Sequence, residues 1–439
     1  MTTARSTRPA SSSDAPGATE RRLVALTLCL VTIGLTAAAT RGLLFALIAL
    51  GAAVFLVVLG VIGRERTAML TMMAAFATAP MYKGLAPSPS SAITPTDLLF
   101  GLSVMLLLPS LLRHKVNLPL GYVLGVSLIL ITGTLSTAFS PDPLVSALQF
   151  VQWLVVLVGL VTLVAIWAPK WKAVDLLVWS YVVGQMASVA YSPLDGGIAD
   201  RRIGLSHHPN AFGEAGVMTF ALAMYLWRRH DAVWYRVLVA GAAGAGAVSA
   251  VTSGSRAATV VIAGLVLMVP IVERSAIRGF LLAIGGAVFV FSLPLLVDST
   301  GDTSALSRLA GSADSLVADR ARLDAQDLGI SLFLQHPIAG NGFADAIYVH
   351  NVVLGVLASV GVIGFLGYLM VLFVLARPLF GHHPNRRLGY VVWAFIAITP
   401  TVPGLEDRTL WVPMSLTILL AIQSRLGSTS PDTTTTESS

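Results

Sequence analysis

Charge is scarce in this chain: Asp, Glu, Lys and Arg together make up 11% of its 439 residues. So few ionisable groups cannot cover a water-facing surface of that size, which excludes an ordinary soluble domain. Cysteine is rarer still. Cys29 is the only one, so an intramolecular disulfide and a cysteine-built metal site are both excluded. It lies within an apolar run and reads as a small core residue. Lysine occurs four times, at Lys83, Lys115, Lys170 and Lys172, among 28 cations. The remaining cations are arginine, a preference that points to a GC-rich bacterial genome.

What is abundant is apolar length. The chain is 55% hydrophobic, with a mean hydropathy of +0.80. Runs near the length of a bilayer crossing recur at 23–40, 42–62, 67–80, 97–112, 118–138, 144–168, 173–191, 211–227, 237–253, 257–272, 279–296, 351–376, 388–403 and 410–424. The expected fold class is therefore all-α: a polytopic transmembrane helical bundle of about 12–14 spans. One large external loop, 297–350, interrupts it. Residues 1–22 and 428–439 lack apolar periodicity and are expected to be disordered tails flanking a membrane domain at 23–427. The first apolar run is long for a signal-peptide core, and no cleaved signal is expected.

Cations recur at every second boundary between runs. Threading from a cytoplasmic amino terminus places 19 of the 28 Lys and Arg on one face, among them Arg64, Lys170, Arg229, Arg274, Arg377 and Arg386. That pattern satisfies the positive-inside rule and puts both termini in the cytoplasm. The net charge of +6 is then topological and calls for no nucleic acid. Nine cations fall on the disfavoured face: Arg41, Lys83, Arg201, Arg202, Arg256, Arg308, Arg320, Arg322 and Arg408. Outward arginines beside a bilayer suit a phosphate group, because the guanidinium is a planar fork of donors that never deprotonates. The plainer reading is that they snorkel to phospholipid headgroups or pair with Asp200 and Asp319.

Arg256 stands in Thr252-Ser253-Gly254-Ser255-Arg256, where small residues let backbone approach a ligand and a helix start adds anion donors. Arg201 and Arg202 lead into a turn ending His207-His208-Pro209-Asn210. Adjacent histidines diverge and no third ligand is spaced for a metal, so no zinc site is expected. Glu214 falls one turn into a span, where it is either a functional acid or an early-turn acid favoured by the helix dipole. In the long loop Val317, Ala321, Ala325, Leu328 and Leu332 form one stripe opposite Arg320, Asp324 and Asp327, which predicts an amphipathic helix on the outer membrane surface. His336-Pro337 and Gly340-Asn341-Gly342 end it in a tight turn, and His350 follows at the mouth of the next span. Histidine suits proton transfer near neutral pH, although a lone interfacial histidine is more often structural.

Three segments resemble the O-antigen ligase and O-antigen polymerase-like membrane proteins, and they stand in that family's order within residues 195–376. They are Arg202-x-Gly204 with Pro209-Asn210-Ala211-Phe212-Gly213; Ser253-Gly254-Ser255-Arg256-Ala257; and His336-Pro337, Gly340-x-Gly342 and His350-Asn351 leading into Gly361-Val362-Ile363-Gly364. The resemblance implies a helical bundle with one external loop over a lipid-open cavity. It also implies transfer of a glycan from a polyprenyl-diphosphate donor to a glycan or lipid acceptor outside the cytoplasmic membrane. Preorganised arginines can neutralise the departing diphosphate without a metal or other cofactor, and attack by a hydroxyl on the opposite face would invert the anomeric centre. Carried over, Arg201 or Arg202 and Arg256 would bind the diphosphate, Arg322 would add a phosphate or sugar contact, and His350 would act at the acceptor hydroxyl. Asn210, Glu214 and Asn351 are further candidates. The chain departs from the family in having only six residues between Phe343 and His350 and more spans than the common 12. The competing expectation is a transporter, either an anion carrier or a lipid-linked oligosaccharide flippase. Transporters gather ionisable residues at mid-bilayer, often in inverted repeats, whereas here they gather at the outer boundary and no repeat is visible.

Overall fold

A computed structural model describes residues 43–88, 91, 93–114, 117–198, 201–286, 305, 314–345 and 348–426. The predicted tails, the run at 23–40, Cys29, Arg41, Asp200, Arg308 and most of 297–313 lie outside them. The chain forms two units, Met1–Thr67 and Ala68–Ser439. In the first, α1 (Leu43–Ile62) shows Val54, Leu56, Val57 and Val61 more than half exposed, an apolar surface suited to lipid rather than water.

Helix α2 (Arg64–Thr78) leads into the second unit, which continues with α3 (Pro95–Leu111), α4 (Leu120–Ala138), α5 (Pro143–Trp167), α6 (Trp171–Tyr191), α7 (Pro209–Leu226), α8 (Val233–Thr252), α9 (Arg256–Glu273), α10 (Ala276–Gly286), α11 (Asp314–Gln335), α12 (Val352–Ala376), α13 (Tyr390–Ile398), α14 (Arg408–Ser415) and α15 (Ile418–Leu426). Among the described residues the secondary structure is helical, with one isolated bridge between Ile198 and Arg201. Among the described residues six helices are long and apolar enough to cross a membrane: α4, α5, α8 and α9, and α6 and α12 with their terminal turns. The protein is thus an all-α, multi-pass membrane bundle.

Helix α7 is not among those six, and its burial gives the reason. Fourteen of its 18 residues are buried, including Glu214 and Thr219, so protein rather than lipid surrounds it and polar side chains are tolerated. Its neighbours come very close. A Cβ on Gly216 would lie 2.6 Å from the Gly246 carbonyl of α8, and one on Gly213 would lie 2.8 Å from Ser253 Oγ. Small residues at such crossings are how membrane helices gain contact when lipid is as apolar as leucine. Helices α4 and α12 meet in the same way at Gly125 and Gly367.

Helix α12 is broken at Gly361, which has φ +64°. The break frees backbone groups that lipid cannot satisfy. The segment His336–Gly342 supplies them: Asn341 N donates to Ala358 O at 2.8 Å, Gly342 N to Ser359 O at 3.1 Å, and Pro337 O accepts from Val362 N at 2.8 Å. Gly340 and Gly342 reach this position with φ of +84° and +85°. Phe343 then anchors the segment to α5. Its amide donates to Ser146 Oγ at 2.8 Å, and its buried ring stacks 4.8 Å from that of Phe150. The tight turn expected at Gly340-Asn341-Gly342 is thus a seal over a helix break.

The helix predicted within the external loop is present as α11, but its inward face is shifted from the expected stripe. Arg322, Ala325, Gln326, Leu332 and Phe333 are half-buried and Gly329 is buried, while Ala321 and Leu328 are exposed. Leu323 and Leu334 are also exposed, at 59% and 67%. The offset follows from Gly329, which lies so close to Val349 that a Cβ there would stand 2.5 Å from a Val349 methyl. Contact with the chain entering α12 fixes the rotation that the apolar pattern alone left free.

Candidate functional site

At one end of the bundle two helix starts converge. Arg256 is the first residue of α9, capped by the Ser255 hydroxyl, which accepts from Ala258 N at 3.3 Å. Gly254, at φ +66°, turns the chain sharply into that cap. His350 directly precedes α12, whose cap is Asn351; the Asn351 side chain accepts from Leu354 N at 3.1 Å. His350 is exposed and its backbone is left-handed, with φ +50°. That conformation is uncommon outside glycine and concentrates at functional positions.

Between these helix starts lies a cavity of about 380 Å³ lined by Arg256, Ala257, Val260, Arg322, Gln326, His350, Pro400 and Thr401. Three of the residues singled out from sequence, Arg256, Arg322 and His350, therefore share one cavity although the last two come from the long loop. The positive ends of two helix dipoles and two guanidinium groups make it a place where an anion is favoured. Gln326 and Thr401 also line it and were not anticipated. Gln326 stands four residues after Arg322, so the helical spacing was a usable signal.

The other candidates stand elsewhere. Arg201 donates from Nε to Ser253 O at 2.7 Å and from Nη2 to Asn210 Oδ1 at 2.8 Å, which ties the turn before α7 to the turn before α9. Arg202 pairs with Asp195, at 3.6 Å, and its amide donates to Thr252 O. Neither arginine, nor Asn210, lines the cavity. Asn351 serves as a helix cap. Glu214 is buried, with Lys83 and Asp407 as its electrostatic neighbours. Lys83 in turn lies 3.7 Å from Asp407, and Arg408 lies 3.0 Å from Asp97. Three of the cations that the charge pattern placed on the disfavoured face thus have carboxylate partners, and the partner of Arg202 is Asp195.

His208 caps α7 by accepting from Asn210 N at Nδ1, 3.1 Å away. Desolvation at the cap, followed by the positive charge of Arg201, pushes its pKa from 6.5 down to about 4, although the residue is exposed. A neutral imidazole is what this cap requires. Among the described residues no group of three or more His, Cys, Asp or Glu stands together as a metal site. Searches with protein-family models and against curated protein sequences find no match.

Proposed function

We propose that this protein is a membrane glycosyltransferase of the O-antigen ligase or polymerase kind, acting at the outer face of the cytoplasmic membrane with both termini in the cytoplasm. The observation that supports the reading is the cavity shared by Arg256, Arg322 and His350. In it the donor's diphosphate lies against the two guanidinium groups and the start of α9. His350 takes the proton from an acceptor hydroxyl as the hydroxyl oxygen bonds to the anomeric carbon and the bond from that carbon to the diphosphate oxygen breaks. Negative charge grows on the departing diphosphate, and preorganised arginines offset it without reorganising. Attack opposite the leaving group inverts the anomeric centre. Arg201 holds the turn that carries Arg256 and is a positioning residue in this scheme.

The test is transfer by purified protein, reconstituted in vesicles, from a polyprenyl-diphosphate glycan to a hydroxyl acceptor. His350→Ala should stay folded, retain donor binding and lose about 100- to 10,000-fold in rate, as loss of a general base does. Near-normal turnover in that variant would remove His350 from the chemistry. Wild-type protein that carries a lipid-linked glycan across the vesicle bilayer without transferring it would replace this reading with the transporter.

A further inference from the structure

A second cavity, of about 720 Å³, lies at the other end of α12 and has no part in the scheme above. The 25 residues of α12 separate the two cavities by roughly 35 Å at 1.5 Å per residue. The second one is framed by the start of α4, the end of α12, the turn Arg377–Phe380 and α15. Its wall is apolar: Pro119, Phe373, Val374, Pro378 and Phe380 contribute, with Phe373 64% and Phe380 40% exposed. Its rim is cationic or polar, built from Arg377, His382, His383 and Gln423.

We propose that this cavity holds the anionic headgroup of a membrane phospholipid. Arg377 and His382 are exposed and make no ion pair among the described residues. They differ in this from the nearby Arg229 and Arg387, which are fixed on Asp175 and Glu273 at 2.7 and 2.5 Å. Arg386 holds the loop in place by donating to Gly381 O at 2.9 Å. Trp171 supports His383, with the rings 5.4 Å apart. The rim is therefore built, while among the described residues two of its donors are left for a ligand. A free phosphate would use the rim and leave the apolar wall bare. A phospholipid uses both, with its phosphate on Arg377 and His382 and its chains along Phe373 and Phe380, at the level where a spanning helix leaves the bilayer.

Native mass spectrometry of the full-length protein in zwitterionic detergent tests this, with phosphatidylglycerol and phosphatidylcholine of equal chain length added separately. Phosphatidylglycerol should bind at least about tenfold more tightly, in keeping with a charge-assisted contact. Arg377→Gln should remove most of that preference, Arg377→Lys should remove part of it because a lysine keeps the charge and loses the fork, and His382→Gln should weaken it further. Arg113→Gln, a change at another exposed cation, should leave it intact. No preference in the wild type overturns the proposal. Equal loss in Arg113→Gln overturns it too, by showing diffuse attraction, as does displacement of the lipid by millimolar inorganic phosphate. If Arg377→Gln fails to fold, an unchanged preference in both Arg377→Lys and His382→Gln overturns it.

Discussion

Arg256 is where side-chain chemistry and position are most closely joined. It opens α9 and faces Arg322 and His350 across one cavity. Arg256→Lys should be nearly as damaging to glycan transfer as Arg256→Ala, because an ammonium cannot make a two-pronged contact with a diphosphate; full activity in both, at unchanged protein level, would remove Arg256 from the donor site. His208 gives a prediction of a different kind. Its folded pKa lies below its unfolded value of 6.5, so its contribution to stability is complete above that value and is lost as pH falls toward about 4. His208→Asn keeps a capping oxygen and removes the titration. Thermal unfolding between pH 6.5 and 4 should then depend less on pH than in the wild type. An unchanged slope would show that other groups carry it. Sequence disclosed these residues unevenly. Arg256 could be selected because a cation in a short loop on the disfavoured face runs against the usual bias, Arg322 through the family resemblance, and His350 because a histidine stands where the long loop enters a span. The partners of Lys83 and Arg408 could not, since Asp407 and Asp97 lie more than 300 residues from them along the chain, and only folding brings them near.

At the scale of elements, most spans were legible. Apolar runs at 118–138, 144–168 and 351–376 match α4, α5 and α12 within about two residues, because a lipid-length run leaves a helix little choice. The rotation of α11 and the break in α12 were not legible. Gly361 is one glycine among several in its run, and nothing local marks it as left-handed. Gly361→Ala should cost about 1–3 kcal/mol in backbone strain alone, because φ +64° with ψ −172° is open essentially only to glycine, and its methyl would collide with the Ile338 carbonyl. Gly264→Ala in α9 is the control: a Cβ there meets nothing within 4 Å, so it should be neutral or slightly stabilising. Unfolding midpoints in detergent would separate the two, and equal midpoints would show that the break in α12 tolerates a side chain.

For the molecule as a whole, the two ends of the bundle use charge differently. One end carries Asp175–Arg229 and the cluster of Glu273 with Arg278, Arg386 and Arg387; the other carries the cavity of Arg256, Arg322 and His350. The proposed orientation puts the first in the cytoplasm. In a Cys29→Ser background, Asp324→Cys should react with an impermeant thiol reagent from outside intact cells, and Lys172→Cys only after lysis. The reverse pattern would invert the protein and remove the reason for regarding Arg256 as misplaced.

The seal over the break in α12 also bears on how the protein is made. His336–Gly342 leaves the ribosome before the helix it completes, and without that segment in place the carbonyls of Ala358 and Ser359 lack the partners that Asn341 and Gly342 give them. Those groups are satisfied only when the segment docks and Phe343 seats against Phe150. Docking of that segment is therefore the event that completes α12, and the contact of Gly329 with Val349 sets α11 against the mouth of that helix. A chain stalled before that event would hold all its spans and still lack the Arg322 side of its cavity.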